Sequence, residues 1–436
     1  MQHPVDRAGP TDPESTPSPA STAAVDAIAE MAAGAGILRV HVFGWRDLDD
    51  DEAGGSEVHA DSIESIWAQA GLEVTHRTSF SRGRPHDAIR HGYRVSRRGN
   101  RYVVFPRAAV AEIAGRLGPA DAVIEIWNGV PFLSPLWWHG PTAIWLHHVH
   151  GPMWQQSLPG AVAPLGNVLE ERLAPPFYRR VPIVTLSRSS HRELVDEMGF
   201  DASHVTVIPP GIDPFFSPAD PADVTAGRSP TPLAVAVGRL TPVKDFCRTI
   251  RVIAAARENV PGLELVIVGE GYERGAVEAQ IRAVGGNDWV HLPGRITDGE
   301  LLDLYRRAWI AVSCSTREGW GMTLTEAAAC GTPAVATDIA GHADAIDAGR
   351  SGLLGSTDDE LVAATTRVLT DRTELERLGR GALARAGELT WEACALANFS
   401  VLADDAVALR GVGGLRRRMP KHPKGERIGR ASVVRD

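Results

Sequence analysis

Ser313-Cys-Ser-Thr-Arg-Glu318-Gly-Trp-Gly-Met322-Thr-Leu-Thr-Glu326-Ala-Ala-Ala-Cys330-Gly-Thr-Pro333 is the stretch on which the reading of this chain turns. It leaves an apolar run, Trp309 to Val312, that has the character of a buried strand. A glycine-rich turn follows, and Thr323 to Cys330 then has the Ala, Leu and Glu content of a helix. Gly331 and Pro333 stop that helix. In an open α/β sheet such a turn lies at the carboxyl ends of the strands, where ligands bind. The free N–H groups of the helix start suit a phosphate. Glu318 sits in the loop and Glu326 inside the helix. They are poorly placed to share one proton and well placed to hold hydroxyl groups at two ends of an elongated ligand. The plainer alternative makes Glu318 a loop cap and Glu326 an exposed helix residue.

Outward from this stretch the second half alternates strands and helices. Leu233 to Val237 is a strand, and Gly238-Arg239-Leu240-Thr-Pro-Val-Lys244-Asp245 is the loop after it. Arg239 and Lys244 bring a forked guanidinium and an ammonium to one strand end, a combination that cradles a diphosphate. Their alternative is that of ordinary solvated charges. Strands are also expected at Leu263–Val268, at Val290 to Gly294 with Arg295 in the turn, at Ala334–Ala336 and at Gly352–Leu354. Trp391 to about Arg410 reads as one long helix.

The first half has the same rhythm. Ile37 to Phe43 is a strand, Asp47 to Glu52 an acidic loop, and Gly54-Gly55-Ser56-Glu57 opens a helix to Ala70. A strand, a Gly-Gly loop and a helix let backbone amides approach a phosphate closely, although a plain tight turn uses the same residues. Gly92 to Phe105 reads as two short strands around Gly99-Asn100, and Ala108 to Leu117 as a helix. Asp121 to Trp127 is a strand with Glu125 in its middle, unusual where both faces are buried. Thr142 to Leu146 is a strand that delivers His147-His148-Val149-His150 to a loop. Three histidines in four residues raise a metal site by composition, but no carboxylate or cysteine stands at helical spacing. Hydrogen bonding to a polar ligand is the favoured use, and no metal is expected. Helices are expected at Ala161–Ala174 and Arg188–Met198, and strands at Pro182–Leu186 and Val205–Ile208.

At 436 residues the chain has material for two or three domains. Its 44% hydrophobic and 23% charged residues are those of an ordinary globular protein. A net charge of −9 argues against a general nucleic-acid binder. No run of 18 apolar residues offers a transmembrane helix, and no basic segment followed by an apolar core offers a secretory signal. Cysteines 247, 314, 330 and 394 lack metal spacing and read as reduced cytoplasmic thiols.

The Glu318–Glu326 spacing, with Gly-Trp-Gly inside it and Cys-Gly-Thr-Pro after it, resembles the signature of the retaining glycosyltransferases of family 4. The resemblance runs from about Ile37 to Arg410. It implies the glycosyltransferase B fold (GT-B), two Rossmann-like doubly wound domains facing across a cleft. It also implies that Glu318 contacts the donor sugar and Glu326 the ribose, with Gly319, Trp320, Gly321, Met322 and Thr323 around them. Gly238-Arg239-Leu240 with Lys244 is similar to the family's diphosphate loop, and Gly54-Gly55 to its glycine turn near donor and acceptor. His147 aligns with a family histidine, while His148 stands where many members have Asp. Arg295 lies where the family lines its base pocket. Pro209-Pro-Gly-Ile-Asp213 is similar to a Pro-Asn-Gly-Ile-Asp segment, with Pro210 replacing Asn.

The expected order is a disordered segment 1–35, an acceptor-side Rossmann-like domain 36–213, a linker 214–231, a nucleotide-sugar domain 232–395, a helix 396–411 crossing back, and a basic tail 412–436 open to an anionic membrane surface. The implied activity is metal-independent transfer of a sugar, with retention, from a nucleotide-sugar to a glycan, lipid or small-molecule acceptor, with no separate cofactor. A dehydrogenase would need Gly-x-Gly-x-x-Gly after the first strand, and Gly34-Ala-Gly36 precedes it instead. A nucleotide-sugar epimerase and a non-catalytic nucleotide-sugar sensor are the remaining alternatives.

Overall fold

The structure, a computed structural model, describes residues 20–50, 53–147, 149, 166 and 168–411. Two sheets organise it. The first carries β1 (Arg39–Phe43), β2 (Glu73–Thr78), β3 (Asp87–Arg90), β4 (Tyr93–Arg97), β5 (Ala122–Ile126), β6 (Thr142–Trp145), β7 (Ile183–Thr185) and β8 (Val205–Val207). Its order is β3-β4-β2-β1-β5-β6-β7-β8, parallel throughout except for β3 against β4. The second carries β9 (Leu233–Val237), β10 (Glu264–Val268), β11 (Val290–Gly294), β12 (Ile310–Ser313), β13 (Ala334–Thr337) and β14 (Gly352–Gly355), in the order β11-β10-β9-β12-β13-β14. The principal helices are α1 (Thr22–Ala35), α2 (Gly55–Gln69), α3 (Val104–Ile113), α4 (Arg188–Arg192), α5 (Phe246–Arg257), α6 (Arg274–Ala283), α7 (Asp298–Arg307), α8 (Met322–Ala329), α9 (Ala340–Ala345), α10 (Asp358–Thr370), α11 (Arg372–Ala386) and α12 (Trp391–Gly411).

Both halves are doubly wound, and each sheet reverses its strand order once, between β1 and β5 and between β9 and β12. At such reversals adjacent loops diverge and leave a crevice at the strand ends. The near-continuous Val, Ile and Ala content of β5, β9 and β12 is what a strand covered on both faces requires. Glu125, the apparent exception in β5, is fully buried, and four donors satisfy it: the N–H groups of Phe132 and Ser134 and the hydroxyls of Ser134 and Tyr178.

The long helix α12 leaves the second half and packs on the first. Trp391, Cys394, Phe399, Leu402 and Ala406 join one core with Ile28 of α1, Val40 of β1 and Trp67 of α2. The Trp67 indole N–H donates to the Ala395 carbonyl at 3.0 Å, and its ring meets Phe399 edge-on at 5.4 Å.

Several local expectations are corrected. Residues 22–35 are not disordered: α1 buries Ile28, Ala32 and Ala35, with Ser21 capping it. Its partner, α12, lies at the other end of the chain, so local composition could not reveal what covers it. The Gly99-Asn100 hairpin is instead the β3–β4 pair turning at His91-Gly92. Asn100 accepts from the N–H groups of Tyr102 and Val103 in the turn before α3, which runs 104–113 rather than 108–117. The segment 214–231 is no loose tether. Arg228 is half-buried against the second half and donates to Thr332 Oγ1 and to the Ala308 and Gly331 carbonyls. Of the helix expected at 161–174, only 166 and 168–174 fall within the described residues. Residues 1–19, the basic tail, His148 and His150 lie outside them.

Truncating Phe399 to Ala should leave a cavity between α12 and the first sheet and cost about 3–5 kcal/mol, since the ring is fully buried. A urea unfolding midpoint equal to wild type would contradict the docking role of α12.

Candidate active site

The loops after β9 and β12 flank the reversal point of the second sheet, and they are tied to each other. The N–H of Thr316 donates to the Val243 carbonyl at 2.8 Å. Lys244 Nζ lies 2.5 Å from Glu318 Oε1, which also accepts from Ser315 Oγ at 2.8 Å. Burial alone would raise the Glu318 carboxyl, but the Lys244 ammonium, with help from His342 and Ser315, holds it below the usual range. Glu318 is therefore a fixed anion.

Glu326 behaves oppositely. Inside α8, burial pushes its carboxyl up to about 7, helped by the carboxylates of Asp298 and Asp213. It accepts a hydrogen bond from the Tyr305 hydroxyl at 3.0 Å. The two acids that the sequence pairs by spacing are thus held in different charge states.

Between them α8 begins at Gly321, in left-handed backbone with φ 108° and no side-chain cap over the first N–H groups. The side chain of His342, from α9, lies beside it: a Cβ on Gly321 would come within 3.2 Å of its ring. His342 is fully buried and bonded through Nδ1 to the Thr337 carbonyl at 2.9 Å. Burial holds it low, against the pull of Glu318. His342 is not among the residues expected from the sequence, because it is a lone histidine in a short helix with no spacing signal.

The first half supplies the opposing wall. A Cβ on Gly55 would lie 2.9 Å from Met322 Sδ, so the start of α2 abuts the start of α8, and a side chain there would displace the thioether. Glu57 reaches back to the Gly54 N–H at 2.8 Å and accepts from Arg46 Nε at 3.1 Å. Asn128, after β5, donates to Ser56 Oγ at 3.2 Å. His147, at the end of β6, is buried, with Nε2 3.2 Å from Nδ1 of His59 in α2.

Further contacts cross the cleft. Arg317 Nη2 donates to Glu193 Oε1 at 2.6 Å and to the Val149 carbonyl at 2.8 Å. Asp344 accepts from the N–H groups of Arg188 and Ser189 at the start of α4.

Of the expected site residues, Lys244, Glu318, Gly319, Gly321, Met322, Thr323 and Gly55 therefore share one locale. Arg239 and Arg295 are exposed on the neighbouring loops after β9 and β11. The Trp320 side chain points elsewhere. It is buried with Leu186, Ile212, Ala382 and Leu389 where the two halves meet, with the Arg385 guanidinium 5.8 Å from its ring centre. The family resemblance implied a place for Trp320 beside the donor; its side chain is instead packed in this core.

Two family models match the chain: one described as glycosyltransferase family 4 over residues 53–215, and one as glycosyl transferases group 1 over residues 224–385. A D-inositol 3-phosphate glycosyltransferase of Segniliparus rotundus is 26% identical across 92% of this chain and 95% of its own length. The protein of the same name from Stackebrandtia nassauensis is 33% identical, over 48% of this chain and 51% of its own. Among solved structures, sucrose-phosphate synthase from Thermosynechococcus elongatus superposes with a TM-score of 0.72 at 20% identity, covering 85% of this chain and 99% of its own. A UDP-glucose complex of Anabaena HepE superposes with a TM-score of 0.64 at 16% identity, over 86% and 99%. These structures share the GT-B architecture.

Because the folded Glu326 binds its proton more tightly than in the unfolded chain, stability should fall as pH rises from about 4.5 towards 7 and level off above it. Glu326→Gln should remove that component. Parallel stability curves for variant and wild type from pH 4.5 to 7.5 would refute the assignment.

Proposed function

Since the chain belongs to the family 4, group 1 glycosyltransferases, we propose that it transfers a sugar from a nucleotide-sugar to an acceptor hydroxyl, with retention and without a metal ion. The observation that carries this reading is the Lys244–Glu318 pair at the reversal point of the second sheet, beside an uncapped helix start that faces Gly55 of the opposite half.

The chemical problem is departure of a doubly charged nucleoside diphosphate from an anomeric carbon. The bond from that carbon to the phosphate oxygen breaks, and the electron pair goes to the leaving oxygen. Arg239, Lys244 and the N–H groups of Met322 and Thr323 stabilise the growing charge, the role a metal ion would otherwise fill. Glu318, ionised, holds sugar hydroxyls. Glu326, near its own titration point, holds the ribose. Arg295 borders the base. His147 faces the sugar from the acceptor side. The acceptor oxygen bonds to the anomeric carbon on the face the diphosphate leaves, and its proton passes to the departing phosphate. Attack on that face accounts for retention without a second carboxylate as nucleophile.

The transferred unit fits a hexose or a related sugar, and the acceptor a glycan, a lipid or a small molecule. No helix among the described residues is long and apolar enough to cross a membrane. Four cysteines outside any disulfide suit a cytoplasmic setting. The basic segment from Leu415 to Arg430 would add contact with an anionic surface.

Incubation with UDP-, GDP- and ADP-glucose, with and without an acceptor mixture, separates the alternatives. A transferred glycoside supports the reading, while an epimer or binding alone refutes it. Arg239→Ala and Lys244→Ala should each lower turnover by about 10²–10³-fold, more than Glu326→Ala, and EDTA should leave turnover intact. Equal small losses, or abolition by EDTA, would contradict the cationic cradle. Deleting residues after Gly411 should reduce co-sedimentation with phosphatidylglycerol vesicles at low salt, and unchanged recovery would end the membrane contact.

A further inference from the structure

Behind His147 lies a polar chain that the proposed reaction does not use. His59, in the second turn of α2, is buried. Its Nδ1 is 3.2 Å from His147 Nε2, and its Nε2 is 3.8 Å from Cys394 Sγ on α12. The two imidazoles meet edge-on, centroids 4.8 Å apart at 84°. Trp145 and Trp391 wall the His59 ring at 5.2 Å and 6.0 Å. Three elements distant in sequence, α2, the end of β6 and α12, thus converge on one side chain.

We propose that His59 is a positioning residue: it fixes the tautomer and the ring orientation of His147, with the Cys394 thiol anchoring its far side.

The direction of the chain follows from its outer end. Cys394 Sγ already receives Asn398 Nδ2 at 3.5 Å. Burial pushes its thiol up to about 12, so it keeps its proton. A sulfur already engaged as an acceptor offers that S–H to His59 Nε2. Burial lowers His59 to about 3, so its ring is neutral and carries one N–H. With Nε2 accepting, that proton sits on Nδ1 and is donated to His147 Nε2. His147 then accepts at Nε2 and carries its own proton on Nδ1. The result is a neutral imidazole with one defined donor nitrogen, held by a partner that cannot ionise. An outer hydrogen bond that sets the tautomer is the usual means of orienting a working histidine.

The functional weight of this inference rests on the reading that His147 faces the donor sugar; the tautomer itself does not. Long-range ¹H–¹⁵N spectra of histidine-labelled protein, with His147 signals identified by their loss in His147→Gln, test the tautomer directly. Both His59 and His147 should show a protonated Nδ1 and a bare Nε2. In His59→Phe, His147 should lose that single tautomer. A His147 protonated at Nε2 in the wild type, or unchanged by His59→Phe, overturns the proposal.

Turnover supplies the second readout, on the nucleotide-sugar that gives the largest thermal shift. His59→Phe and His59→Gln should lower kcat about tenfold, the scale of one lost hydrogen bond, with the donor KM little changed. His59→Asn, whose amide can donate from the Nδ1 position, should recover most of that loss. If the three variants rank by melting temperature rather than by donor position, the role is structural and the proposal fails. If His147→Ala leaves turnover intact, the parent reading of His147 fails while the tautomer result stands.

Discussion

The pairing of Lys244 with Glu318 is the interaction on which the arrangement of the second half depends. It bridges the loops after β9 and β12, the two strands between which the sheet reverses its order. Loops leaving a reversal point diverge, so the contacts between them must span a gap. A carboxylate in so sheltered a place would protonate without a cation beside it. The ammonium keeps it charged, and the bond between Thr316 and Val243 keeps the loops in register. The start of α8, Gly55 from the first half, and His342 are all placed with respect to this point.

Much of the architecture was legible in the chain because it is written locally. The alternation of apolar runs with helical stretches announces two doubly wound halves, and the loops around Arg239, Lys244, Glu318 and Gly55 carry their residue types in short, ordered spacings. What escaped the sequence is what depends on contacts across hundreds of residues. The helix α1 looks like a solvated leader until α12 covers it. Asn100 looks like a hairpin turn but holds the turn that leads into α3. Trp320 looks like a ligand contact until Leu186 and Ile212 surround it. His59 and His342 stand in helices with nothing in their spacing to single them out. In each case the deciding partner is tertiary, so a local window could not contain it.

The contrast between the two acids has a similar origin. By spacing, Glu318 and Glu326 look alike. One lies next to an ammonium and the other beside a phenol with two carboxylates nearby. Environment, not residue type, decides that the first is a permanent charge and the second a group that titrates near neutrality.

Arg317 immediately precedes Glu318 and grips Glu193 and the Val149 carbonyl on the far wall, two residues beyond His147. The loop that carries the permanent anion is therefore geared to the aperture between the halves. Parting of the halves would require the guanidinium to release both anchors, while Lys244 and Ser315, from the same half as Glu318, would keep their hold on the carboxylate. Whatever widens the aperture is thereby passed to the loop ahead of the carboxylate, and the charge itself is insulated from it.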